Sequence, residues 1–125
     1  MIDFQNGGFF KLKAVNLQMV TPQLQPLLIP NEQLICAFQG IRDSVTFTNM
    51  RIIAVNVQGM TGKKKDFTSL PYSKIQAYSI ESAGVFDMDS ELELYFSGLG
   101  KVKFEFVGNA NLTYICQMIS GYVLR

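Results

Sequence analysis

The chain has 125 residues, 48% of them hydrophobic and 17% charged, which predicts one globular domain and excludes a disordered segment. Eleven Lys and Arg residues balance ten Asp and Glu residues, so no overall electric field draws the protein to nucleic acid or to an acidic membrane. Because the chain has no histidine, a Ser–His or Cys–His catalytic pair and an imidazole metal site are excluded.

The start of the chain and its two cysteines predict a cytoplasmic location. Residues 1–8 have neither the basic nor the apolar region of a signal peptide. No apolar run approaches the roughly 20 residues that are needed to span a bilayer. Cys36 and Cys116 are far apart and form no CxxC pair, which favours two reduced thiols in the core, while a disulfide stays open.

Residues 1–30 are predicted to form an N-terminal tail and short helices. Phe9 and Phe10 follow a glycine-rich start and are predicted to dock the tail onto the body of the domain. Residues 14–29 are rich in Leu, Met and Val but are interrupted by proline, which removes a backbone donor and clashes inside a helix. We therefore expect one or two short helical pieces instead of one long helix.

Residues 33–107 are predicted to form about seven short antiparallel strands, which indicate a β-sandwich or a β-barrel. Apolar side chains recur there with a period of two, and turn residues separate the runs. The first five strands are predicted over residues 34–39, 44–48, 51–57, 66–70 and 74–80. The third of these is apolar on both faces, and Ile53 and Val55 lie on its second face. Such a strand needs cover on both sides, either from the N-terminal segment or from another subunit, so these two residues are candidates for self-association.

The clearest hairpin covers residues 91–107, where apolar and polar side chains alternate along both arms. If the pairing register of the two arms shifted by one residue, the apolar side chains of one arm would face solvent. The register must therefore place apolar residues of one arm opposite apolar residues of the other. A loop at residues 98–100 satisfies this condition and predicts that Phe96 lies opposite Val102.

Residues 109–124 are predicted to form a helix that caps the barrel, with an asparagine at its N-cap. One apolar stripe at helical spacing faces the core: Leu112, Ile115, Cys116, Ile119 and Val123. No residue between 109 and 124 is charged, although a helix with a solvated face normally carries several charges.

The outward face of this helix holds Tyr114, Gln117, Met118 and Gly121. Tyr and Met are favoured at interface cores, and a glycine lets another chain approach closely. Tyr114, Met118 and Gly121 are therefore predicted to take part in self-association. A weakly polar surface helix is the alternative interpretation.

Three stretches carry a resemblance to a known family: RDSVTFTNMRII at 42–53, GMTGKK at 59–64 and PYSKI at 71–75. With them, the chain from Phe9 to Leu124 resembles the bacterial pleckstrin-homology-like (PH-like) domain family. The resemblance implies seven strands in a strongly bent pair of sheets, capped by a C-terminal helix. It also implies a tendency to form cyclic homo-oligomers and no enzymatic activity, and it supplies no ligand-binding residues.

The sequence has one basic run, at residues 63–65. Eukaryotic pleckstrin domains that bind phosphoinositides place several basic residues around a long first hairpin loop, whereas the corresponding turn here, residues 39–43, is short and sets Asp43 beside its arginine. The predicted contacts for an anion or a partner are Lys63, Lys64, Lys65, Arg42 and Arg51, joined by Lys74 for a lipid or phosphate. A solvated loop is the alternative.

Acidic residues gather in a second stretch, at Glu81, Asp87, Asp89, Glu91 and Glu93. If the basic and acidic stretches lie on different flanks, copies of the chain can match opposite charges head to tail, and such contacts close into rings. Residues 87–91 resemble the start of a calcium loop, but the required glycine is replaced by Leu92, so we expect no metal.

Taken together, these features favour a non-catalytic cytoplasmic module without a cofactor, which self-assembles and acts as a scaffold for an unidentified protein partner. Nucleic acid is not an expected ligand. The alternative is a peripheral binder of anionic lipid or phosphate that uses the basic loop.

Overall fold

The computed structural model describes residues 1–5, 9–81, 89–108 and 111–124. Its strands are β1 (Phe9–Val15), β2 (Leu34–Gln39), β3 (Asp43–Thr48), β4 (Arg51–Gln58), β5 (Lys64–Pro71), β6 (Ile75–Glu81), β7 (Ser90–Phe96) and β8 (Gly100–Phe106). Its helices are the single turn α1 (Thr21–Leu24) and the C-terminal α2 (Leu112–Val123). Short 3-10 turns cover Leu17–Met19, Gln25–Leu27 and Tyr72–Lys74. No helix within these ranges is long and apolar enough to cross a membrane.

The strands form one curled sheet, a half-barrel in the order β5-β4-β3-β2-β1-β8-β7-β6. Neighbours are antiparallel except for β1 and β8, which run parallel. The predicted mainly β fold with a C-terminal helix is confirmed, with eight strands where about seven were expected. The additional strand β1 was missed because a bulge places two exposed residues between buried Phe9 and Leu12, which removes the period of two.

The inner face of the half-barrel holds the main core, as the alternating pattern predicted. Leu92 and Phe104 face each other there and are fully buried. Phe9 docks the N-terminal segment as expected and stacks on Phe4 with ring centres 5.6 Å apart. The expectation for Phe10 was wrong, because its side chain is 54% exposed on the other side of β1.

A second, smaller core lies on the outer face of β4. Ile53 and Val55 are 1% and 2% exposed there, beneath Val20 and Leu24 of the N-terminal helical segment. Of the two covers that the sequence left open, the N-terminal segment is the one present. Ile53 and Val55 are therefore not accessible to another copy, and their prediction as self-association residues is corrected.

The β7–β8 hairpin has its apolar residues on the predicted face but in a different register. Phe96 pairs with Gly100, and Leu94 pairs with Val102, so the arms are shifted by two residues relative to the predicted Phe96–Val102 pair. A shift by two keeps every side chain on its face, so the alternation did not distinguish the two registers. The observed turn covers residues 97–99, and Gly98 and Gly100 adopt positive φ angles of 84° and 93°, which favour glycine.

Candidate functional site

The outer face of α2 forms a shallow groove of about 410 Å³. The residues that line it, named here the α2 surface, are Ile35, Tyr114, Gln117, Met118, Gly121 and Tyr122. The structure thus brings together Tyr114, Met118 and Gly121, the three helix residues predicted for self-association. Tyr114 is 49% exposed, and a Cβ atom at position 121 would meet no atom within 4 Å, so the groove is open at that glycine.

Two residues of the α2 surface were not predicted from the sequence. Ile35 belongs to β2, and its partly buried side chain extends the groove from the helix onto the sheet. Tyr122 was missed because its ring packs inward, stacked on Tyr72 with centres 5.2 Å apart. The only sequence signal for either residue is a large apolar side chain, which is equally typical of a core position.

Rigid contacts fix the position of α2 on the sheet. Asn111 caps the helix, as predicted for an asparagine before it, by accepting a hydrogen bond from the backbone N–H of Tyr114 at 3.1 Å. The hydroxyls of Tyr78 and Ser120 lie 2.6 Å apart. Ile115 and Ile119 are buried in the main core. The α2 surface is therefore a preformed feature of the folded chain.

Arg51 was predicted to contact an anion or partner, and this prediction is wrong. Its guanidinium binds the fully buried side chain of Glu32 through Nε and Nη2, at 2.8 and 2.9 Å. Its other hydrogen bonds go to Ser69 Oγ and to the carbonyl oxygen of Leu27. Arg51 thus links β4 to the N-terminal segment through hydrogen bonds inside the folded chain. Sequence pattern alone could not reveal this pair, because Glu32 lies 19 residues away along the chain.

The buried glutamate predicts how stability depends on pH. Burial of Glu32 opposes its charged form, but hydrogen bonds from Arg51, Thr48 and the N–H of Ile29 outweigh burial and lower the pKa of this carboxyl from its ordinary 4.5. A carboxyl with a lowered pKa in the folded state adds stability above its unfolded pKa and loses that contribution as the pH falls through the folded value. Below about pH 4.5 we therefore expect the wild-type free energy of unfolding to fall more steeply than that of Glu32→Gln, measured by urea unfolding. Equal slopes for the two proteins would contradict this role.

The remaining predicted cations separate into two groups. Arg42 and Lys63–Lys65 lie together at one end of the sheet, since β4 pairs Val57 with Lys65 and the N–H of Val57 donates to the carbonyl oxygen of Arg42 at 2.9 Å. Lys74 follows the far end of β5. That end, Pro71, lies about 23 Å from Lys64 at the strand rise of 3.3 Å. One ligand headgroup therefore cannot contact Lys74 and the lysine run together.

Two residues of the acidic stretch, Glu91 and Glu93, are paired with lysines of β8. Lys103 Nζ lies 3.5 Å from carboxylate oxygens of both Glu91 and Glu93, and Lys101 reaches Glu93 at the same distance. The two glutamates raise the pKa of Lys103. Asp87 lies outside the described residues. The two lysines of β8 thus offset two of the five acidic charges, which weakens the negative side of the proposed head-to-tail charge matching.

Neither cysteine lines the α2 surface. Cys36 and Cys116 are both free thiols and both partly buried. Burial raises the pKa of the Cys36 thiol to about 11, which keeps it protonated near neutral pH. Within the residues that the structure describes, no three acidic or cysteine side chains are grouped so as to hold a metal ion.

Comparison with known proteins identifies the family. A family model described as the bacterial PH domain matches residues 3–123. The chain belongs to the bacterial PH domain family. The resemblance carried by its sequence is thus confirmed, and the curled half-barrel with its capping helix is a bacterial PH domain.

Relatives of this bacterial PH domain include two proteins of Bacillus subtilis strain 168. The uncharacterized protein YjqA is 40% identical over 95 residues, which is 76% of each chain. The uncharacterized protein YozO is 30% identical over 101 residues, covering 81% of this chain and 87% of its own.

Solved structures show the same fold. A DUF1696 family protein with a pleckstrin-homology domain from Shewanella loihica is 38% identical, has a TM-score of 0.78, and is matched over 93% of this chain and 98% of its own. A pleckstrin homology domain from Shewanella amazonensis is 35% identical with a TM-score of 0.66, over 97% and 96% of the two chains. A PH-domain-containing protein from Exiguobacterium sibiricum, 15% identical with a TM-score of 0.64 over 90% of this chain and 60% of its own, shares the fold alone.

Proposed function

We propose that the chain is a non-catalytic bacterial PH module that self-assembles through the α2 surface and serves as a scaffold for protein interactions. The observation that carries this proposal is the open groove beside a helix that has no charged residue between positions 111 and 124. A helix face in water normally carries charge. Its absence here, together with the half-exposed ring of Tyr114 and the partly buried side chain of Met118, is typical of an interface core.

The proposed occupant of the α2 surface is a second copy of the chain. An uncharged groove favours an uncharged partner, because a charge placed against it would lose its hydration without gaining a counter-ion. The family resemblance implies a tendency toward cyclic homo-oligomers. The groove of one copy would then contact a different surface of the next, and heterologous contacts of this kind close into rings when the rotation allows.

Introducing charge into the groove is expected to dissociate this assembly. The double variant Tyr114→Glu/Met118→Glu would bury two unpaired carboxylates at the interface, which should weaken association by more than about a hundredfold. Light scattering after size exclusion should then give the 14.0 kDa mass of one chain in place of a multiple of it.

A matched control adds the same charge outside the groove, at one position of α2 and at the C-cap residue that follows it. Thr113 and Leu124 are exposed and do not line the α2 surface. Thr113→Glu/Leu124→Glu should therefore keep the wild-type mass, and circular dichroism should show that both double variants fold. If the groove variant folds and keeps the wild-type mass, the α2 surface is not the interface.

A second candidate function is contact with an anionic surface through Arg42, Lys63 and Lys64. The specific observation in its favour is that these three exposed cations share one end of the sheet. Lys65 is engaged by Gln23, whose side-chain oxygen accepts from Lys65 Nζ at 3.1 Å. Arg51 and Lys74 have no part in this candidate.

A further inference from the structure

The two edge strands of the curled sheet, β5 and β6, border a pocket of about 410 Å³. The end of β5, the 3-10 turn Tyr72–Lys74, the start of β6 and the β7–β8 turn form its walls. It is named here the seam pocket, and the residues that line it include Leu70, Lys74, Gln76, Phe96, Ser97 and Leu99. It shares no lining residue with the α2 surface and lies away from the lysine run at the other end of β5.

The floor of the seam pocket is apolar. Leu70 and Phe96 belong to the main core, where they are 2% and 4% exposed, and the partly buried side chain of Leu99 packs against that core. The side chain of Met1, which is 85% exposed, stands at one side of the pocket and adds accessible apolar surface. A pocket of this size that combines apolar walls with a few polar groups is typical of a small-molecule site.

Lys74 is the one charged side chain among the described residues that line the seam pocket. It is exposed, and no ion pair in the described part of the chain involves it. The other cation at this pocket, the α-ammonium group of Met1, lies 3.0 Å from a carboxylate oxygen of Asp66 and is thereby neutralised. A lysine without a counter-ion at the rim of an apolar pocket matches a ligand with one negative charge.

A β-bulge at the start of β6 brings a second polar group to the seam pocket. β6 pairs with β7 at Ile75 and again at Ala77, so Gln76 is an extra residue between two paired ones. A bulge can re-aim a side chain beside a site, and Gln76 lines the pocket. Because a carboxylate has two acceptor oxygens, it can accept from the ammonium of Lys74 and from the amide of Gln76 together.

The turn that carries Lys74 is fixed to the body of the domain by its first residue. Tyr72 is 1% exposed, and its hydroxyl donates to the carbonyl oxygen of Thr48 at 2.7 Å. Its ring stacks on Tyr122 with centres 5.2 Å apart. This wall of the seam pocket is therefore preformed, so ligand binding would not have to order the turn.

We propose that the seam pocket binds a small carboxylic acid with an apolar body, its carboxylate at Lys74 and Gln76 and its body against Met1 and Leu99. This site goes beyond the assembly proposed above, because the α2 surface contributes nothing to it. A phosphate monoester carries about 1.5 to 2 negative charges at neutral pH, of which one lysine would offset only a part. A monoanion is therefore the class of ligand that the pocket fits.

Isothermal titration calorimetry of the full chain with octanoate, acetate and octanol tests the chemistry of the ligand. Octanoate should bind saturably, with one site per 14.0 kDa chain. Acetate lacks the apolar body and octanol lacks the charge, so each should bind at least about tenfold more weakly than octanoate. Absence of saturable binding at millimolar octanoate, or octanol that binds as tightly as octanoate, would overturn the proposal.

Variants locate the site on the chain. Lys74→Gln should weaken octanoate binding by about tenfold. Lys63→Gln removes the same charge beyond the other end of β5 and should bind as wild type does. Ser97→Trp places a large ring at an exposed wall of the seam pocket and should abolish binding, whereas Ser79→Trp, at an exposed position of β6 outside the pocket, should not. Circular dichroism checks that each variant folds. Undiminished binding by Lys74→Gln, or by a folded Ser97→Trp, would show that the ligand sits elsewhere.

Discussion

Arg51→Leu is expected to lower the free energy of unfolding by about 3–5 kcal/mol. The substitution leaves the carboxylate of Glu32 buried without its counter-ion, since the glutamate side chain is fully buried and arginine supplies two of its hydrogen bonds. It also removes the hydrogen bond to the carbonyl oxygen of Leu27, which ties the N-terminal segment to β4.

Urea unfolding followed by circular dichroism measures this loss. Arg42→Leu is the matched control, because Arg42 is exposed and makes a single hydrogen bond to a backbone carbonyl. The control should change stability by no more than about 1 kcal/mol. A loss at Arg51 no larger than the loss at Arg42 would show that the buried ion pair does not hold the segment in place.

Leu24→Ala is expected to destabilise the chain by about 2–5 kcal/mol, through the cavity it opens above β4. Leu24 is completely buried against Ile53 and Val55 in the small outer core. That core has few members, so little material is available to refill the cavity. Exposure of a strand with two apolar faces should also make the variant aggregate on heating.

The control for this prediction is the same substitution three residues along the chain. Leu27 is 41% exposed and lies outside the small core, so Leu27→Ala should cost about 1 kcal/mol or less. Thermal unfolding by circular dichroism compares the two. Equal melting temperatures for the Leu24 and Leu27 variants would contradict the assignment of the N-terminal segment as the cover of β4.

The sequence predicted the elements whose residues are close in the chain. The alternation in β7 and β8 identified the arms of their hairpin and the face of each side chain, because a period of two is a local property. It could not choose between registers that differ by two residues, and Phe96 accordingly pairs with Gly100. The bulge after Phe9 hid β1 for a related reason, since it interrupts the alternation itself.

Long-range partners account for what the sequence missed at the candidate sites. Arg51 looked like a surface cation because nothing local marked Glu32 as its counter-ion. The apolar pattern indicated that the side chain of Ile53 is buried by another segment. Only the folded structure shows that Leu24 of the N-terminal segment packs on it. By contrast, helical spacing involves only residues that are close in the chain. The outward position of Tyr114, in the uncharged helix that follows Asn111, could therefore be predicted from the sequence alone.

Native mass measurement of the wild-type chain beside Tyr114→Glu/Met118→Glu tests self-assembly through the α2 surface most directly. We predict a wild-type mass that is a multiple of 14.0 kDa, and a folded double variant at 14.0 kDa. A wild-type mass of 14.0 kDa across the working concentration range, or a double variant that retains the wild-type multiple, would contradict it.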